Sequence, residues 1–175
     1  MMPFISADTP VLSSTEMDVI GIMRQIRKCR DGIALEDPEN ESLIPIVEPL
    51  RRFLVLLQRA DQNRMELGLE SCPSVTIFEL QVLFSIAGLR VESKEVVQDL
   101  LSTWLPRGAT VIGLTLLHEI ARKLNTAGLP PFSMADLQAQ IINLTLSRLR
   151  SEGYTVITKG STKAGTNVLS TKTVH

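Results

Sequence analysis

The stretch LSRLRSEGYTVITKGSTKAGTNVLSTKT, Leu146 to Thr173, decides how this chain is read. Its first residues continue a helix of leucines and arginines that stops at Gly153. The period then changes. YTVIT and NVLSTKT are rich in threonine and valine, residue types that suit a pleated, half-buried surface. Between them KGSTKAGT supplies Gly160 and Gly165 to relieve a turn. The expectation is a β-hairpin over roughly residues 154–173, with Lys159 and Lys163 near its tip.

Working back from Gly153, Pro130 and Pro131 interrupt the chain, Ser133 is a good N-cap and Asp136 sits at the third helical position, so a helix is expected over about 134–152. At about 100° per residue its side chains sort into faces. Ala135, Ala139, Ile142, Leu146 and Leu149 form one apolar stripe, taken as the core side. Asp136, Gln140, Asn143, Ser147 and Arg150 form a continuous polar stripe, and Leu137 and Leu144 lie beyond it, where they are expected to meet another helix or a partner chain.

The rest of the chain reads as helices. Ser13 and Glu16 have capping-box spacing, and Val19, Ile20, Met23 and Ile26 then recur at helical spacing until Gly32. Arg24, Arg27, Lys28 and Arg30 on that helix are taken as a solvated face. Glu36 to Pro45 has no period and reads as a linker. A long helix is expected from about Pro49 to Leu67, built on Leu50, Phe53, Leu54, Leu57 and Ala60. Thr76 and Glu79 form a second capping box, opening a helix that ends at Gly88. Another runs from Ser93 to Trp104 and is closed by Pro106, and Leu116, Leu117, Ile120 and Leu124 mark one more. The division is residues 1–70 as N-terminal helices and 71–175 as a second unit containing the final helix and hairpin.

Composition bounds the function. Of 175 residues, 44% are hydrophobic and 21% charged, ordinary values for a globular chain. The longest apolar run, Phe53 to Leu57, is far short of the roughly 20 residues a membrane helix needs. The start shows no basic region followed by a sustained apolar one, so a cytoplasmic location is expected. Cys29 and Cys72 lack the spacing of a zinc site or a disulfide framework, and no cofactor or metal is expected. The formal net charge is −1, yet it is unevenly spread. After residue 140 the basic residues Arg148, Arg150, Lys159, Lys163 and Lys172 face only Glu152.

Several helices, a long final helix and then a hairpin is the order of a winged helix-turn-helix domain, a mainly α fold with a small β-hairpin. Such a shape suits duplex DNA, because the major groove admits one α-helix while a projecting hairpin touches the neighbouring backbone. Gln140, Asn143 and Ser147 are then placed to read base edges. Arg148, Arg150, Lys159 and Lys163 are placed to neutralise phosphates.

Two pieces of the chain resemble the MarR-type family of winged-helix transcription regulators. EPLRRFLVLLQRADQNRMELGLESCPSVTIFELQVLFSIAGL is similar to that family's dimerisation helix running into its first core helix, and LSRLRSEGYTVITKG to its recognition-helix end and wing. The resemblance implies a homodimer binding a roughly palindromic DNA site, with a small-molecule effector pocket near the dimerisation helices. NTAGLPPF stands where the family has a tight turn, and the helix from Ser93 to Trp104 is additional.

The alternative is a winged-helix protein–protein interaction module without DNA binding, favoured by the near-neutral charge, the arginine-free hairpin tip and the apolar pair Leu137 and Leu144. Catalysis has little to stand on, and no catalytic residue is assigned. His118 lacks the partner at i, i+4 that a zinc helix needs, His175 ends the sequence, and no phosphate-binding glycine loop or nucleophile elbow occurs.

Overall fold

Two capping boxes set the frame. Ser13 and Glu16 exchange hydrogen bonds through backbone and side chain, starting α1 (Ser14–Cys29). Thr76 and Glu79 do the same for α3 (Ile77–Arg90), where the Thr76 hydroxyl accepts from the Glu79 N–H at 3.1 Å. Between them lies α2 (Ile44–Ala60), entered through a short 3₁₀ turn at Glu41–Leu43 that Asn40 caps. After α3 come α4 (Lys94–Trp104), α5 (Arg107–Thr126) and α6 (Met134–Ser151). A computed structural model describes residues 12–29, 38–60, 65–69 and 72–153.

α3 is the centre of the assembly and packs against α4, α5 and α6. α2 lies along α5, and α1 lies against α2. One hydrophobic cluster joins all six helices, from Val19 and Met23 through Leu50, Phe53, Leu83, Leu101 and Leu117 to Leu137. Burial on this scale is what holds helices that are individually too short to persist in water. The α3–α4 approach depends on Gly88, where a Cβ would stand 2.7 Å from a Val97 methyl. No described helix is long and apolar enough to cross a membrane.

The expected mainly α fold with a winged hairpin is corrected. Every described element is helical, and no strand occurs among the described residues. The hairpin expected over 154–173, with Lys159 and Lys163, lies outside them. Threonine and valine content is a local preference that needs a sheet to act on, and a lone two-stranded hairpin is marginal in water. The six helices offer no strand edge to extend.

α2 begins at Ile44 rather than near Pro49, because Ile46 and Pro49 extend the buried face of Leu50 and Phe53 backwards by a turn. The proline is held inside the helix, and the residues expected as linker end in the 3₁₀ turn. The solvated-face reading of α1 also fails at Arg24. That side chain is buried and grips the Glu79 carboxylate with two parallel hydrogen bonds of 2.7 and 2.9 Å. Its remaining N–H groups donate to the carbonyls of Leu69, Cys72 and Ser74. One guanidinium thus ties α1, α3 and the segment between α2 and α3 together.

Candidate interaction surface on the last helix

α6 is set in place from its first turn. The Ser133 hydroxyl accepts from the Asp136 N–H at 3.3 Å, an ordinary N-cap. The connection from α5 turns at Gly128, whose φ of 68° is left-handed. Arg90 of α3 then fastens it, donating to the Asn125 side chain and to the carbonyls of Leu129 and Pro130. The same guanidinium lies 5.5 Å from the ring centre of buried Phe132. The segment that is too long for a tight turn is therefore a structured bracket that fixes where α6 starts.

From that start the helix lies on α3 through Met134, Leu137 and Ile141, with Leu137 fully buried. This is not the stripe expected to face the core. At about 100° per residue the packed side is rotated roughly 140° from the line Ala135, Ala139, Ile142, Leu146, Leu149. Ile142 is 48% exposed and Ala135 is exposed, while Ala139, Leu146 and Leu149 are half-buried and do not join the core cluster. The sequence reading assigned the core to the one stripe it identified and did not see the line through Met134, Leu137 and Ile141 that the body claims. Leu144, expected to meet another helix, is 36% exposed, whereas its companion Leu137 is the residue that anchors α6.

Of the residues expected to touch DNA, Asn143, Ser147 and Arg150 are exposed and share one side of α6. Gln140 is half-buried. Arg148 is drawn toward the body, where its guanidinium lies 3.4 Å from Glu66 and 3.2 Å from Glu152. Both pairs are exposed, so each contributes little to stability, but they occupy the group that was expected to meet phosphate. Lys159 and Lys163 lie outside the described residues. The helix ends at a left-handed Gly153, φ 85°, as its sequence implied.

A second feature went unread in the sequence. α2 and α5 border a groove of about 290 Å³ lined by Arg51, Arg52, Arg59, Val55, Leu56 and Ile112, among others. The signal was present, since these arginines recur on the side of α2 opposite Phe53, but a basic outer face on an amphipathic helix is ordinary. His118 lines a different opening, with Glu92, Lys94 and Glu95. Among the described residues no three His, Cys, Asp or Glu side chains come together as metal ligands. Comparison of the chain with family models, with curated proteins and with solved structures finds no match.

Proposed function

We propose that this protein is a helical interaction module, cytoplasmic in location, that receives a partner helix along the outward side of α6. The observation that carries the reading is the orientation of that helix: Leu137 is used inward, leaving the line through Ile142 turned away from α3. An apolar line at helical spacing on a firmly placed helix is the shape that helix-to-helix recognition uses. Charge agrees with it. Over 134–152 Arg148 and Arg150 are matched by Asp136 and Glu152, and the whole chain is at −1, which gives little attraction toward a phosphate backbone.

A second reading has support of its own. Asn143, Ser147 and Arg150 lie exposed in a row, and the resemblance to MarR-type regulators makes α6 a DNA-reading helix. One titration separates the two. Fluorescence anisotropy with a labelled mixed-sequence duplex is expected to show no saturable binding at about 150 mM salt. Binding that weakens steeply as salt rises, with a slope reduced in Arg150→Ala, would overturn the interaction-module reading in favour of the DNA-binding one.

A further inference from the structure

We propose that the partner helix is α6 of a second copy of this chain, lying antiparallel to the first. The proposal rests on the reading of α6 as a helix-binding surface and adds the occupant and its register.

The apolar line has coiled-coil spacing. Ala135, Ala139, Ile142, Leu146 and Leu149 are separated by four, three, four and three residues, which puts Ala139 and Leu146 at a positions and Ala135, Ile142 and Leu149 at d. On that assignment the residues on α3, Met134, Leu137 and Ile141, fall at c and f, the far side from the seam. The body thus holds α6 by its back.

The flanking positions choose the direction. Asp136, Asn143 and Arg150 occupy e, and Gln138, Thr145 and Glu152 occupy g. In an antiparallel pair an a residue lies opposite a d residue, e lies opposite e, and g opposite g. Setting Ala139 against Leu149 of the second copy and Leu146 against Ile142 puts a small residue against a large one and fills the seam. The same register brings Asp136 opposite Arg150 of the second copy, twice by symmetry, while Asn143 and Thr145 each meet their own counterpart. Gln138 falls opposite Glu152. No flanking pair is like-charged.

A parallel pair does worse. It stacks Ala139 on itself, leaving a thin layer, and its g-to-e pairs are Gln138 with Asn143 and Thr145 with Arg150, neither of which joins opposite charges. Asp136 and Arg150 are also the ionic residues of α6 that take no part in an ion pair among the described residues, while Arg148 and Glu152 pair with each other. A seam of about two heptads is at the small end of specific interfaces, so the dimer is expected to be weak and reversible.

Sedimentation equilibrium of the full chain tests both occupant and register. The wild type is expected to be a monomer–dimer system, and Ile142→Asp a monomer with unchanged helicity, since the site is exposed. Asp136→Arg and Arg150→Asp each create two like-charge contacts and are expected to weaken the dimer by about tenfold. The double variant carrying both reversals should return to near wild-type affinity, a rescue that misfolding cannot produce. A wild type that stays monomeric at about 200 µM would overturn the second copy as partner, leaving the helix-binding reading to stand or fall on the DNA titration. A dimer indifferent to Ile142→Asp would place the interface elsewhere and overturn the proposal. Loss of dimer in Ile142→Asp without charge-reversal rescue would overturn the antiparallel register.

Discussion

Replacing Arg24 by methionine is expected to destabilise the protein by about 3–5 kcal/mol, the range for stripping one partner from a buried ion pair. Glu79 is fully buried and would be left with only two N–H donors, from Gly68 and Thr76, each at 2.9 Å. The carbonyls of Leu69, Cys72 and Ser74 would lose their donor as well. Arg24 cannot be replaced in this role by lysine without loss, because the guanidinium uses its planar fork on the carboxylate and its outer N–H groups on the carbonyls. Gly68 belongs to the same arrangement, since a Cβ there would stand 2.6 Å from the Arg24 guanidinium. Removing both charges, as in Arg24→Met with Glu79→Leu, should cost clearly less than Arg24→Met alone, because no uncompensated carboxylate remains.

The pH dependence of this pair follows from the state of Glu79. Burial by itself would raise its carboxyl pKa, but the hydrogen bonds from Arg24, Thr76 and Gly68 outweigh burial and hold it below the usual carboxylate value. A folded pKa below the unfolded one, which is about 4.3, stabilises the fold above that unfolded value. The contribution is lost as pH falls through the folded pKa. In Arg24→Met the main opposing cation is gone, burial dominates, and protonation of Glu79 relieves the fold. The gap between variant and wild type should therefore be largest near neutral pH and should narrow in acid. Urea unfolding at about pH 7 and about pH 4 measures it, and a gap below about 1 kcal/mol at neutral pH would contradict the role given to this pair.

Phe53→Ala is expected to cost a further class of energy, about 3–5 kcal/mol, by opening a cavity rather than by stranding a charge. Phe53 is fully buried on α2, and its ring lies 3.5 Å from where a Cβ would sit on Gly113 of α5. That close approach of two helices is braced by Leu105, whose methyl stands 2.7 Å from the same point, so collapse into the vacated space is limited. The thermal midpoint should fall by about 10 °C or more in a chain of this length. Ile142→Ala supplies the contrast. Its side chain is 48% exposed and outside the core, so the monomer should lose less than about 1 kcal/mol.

The difference between those two substitutions also marks what could be read from sequence. The core side of α2 was legible because Leu50, Phe53, Leu54 and Leu57 make one apolar stripe opposite Arg51, Arg52 and Arg59. Starts at Ser13, Thr76 and Ser133 were legible because a cap is a local hydrogen bond between residues three apart. α6 was different. It carries two apolar lines, one through Leu137 and Ile141 and one through Ile142 and Leu149, and periodicity alone gives both equal standing. The choice between them is made by Arg90 and the Leu129–Phe132 bracket, a contact between residues some 40 positions apart. Arg24 was misread for the same reason, since its partner Glu79 lies 55 residues away. The hairpin expectation rested on composition after Gly153, and composition does not supply the neighbouring strand that a sheet requires.

The orientation of α6 carries the functional account, and methyl NMR with a neutral gadolinium chelate tests it most directly. The measurement is best made on Asp136→Arg, whose dimer the proposed register weakens, at a protein concentration low enough to leave it monomeric. Ile142 methyl signals should broaden strongly with added chelate, while those of Leu137 stay sharp, as their exposures of 48% and 0% require. Sharp Ile142 signals together with broadened Leu137 signals would mean that the other apolar line faces the body, and the surface proposed for the partner helix would not exist.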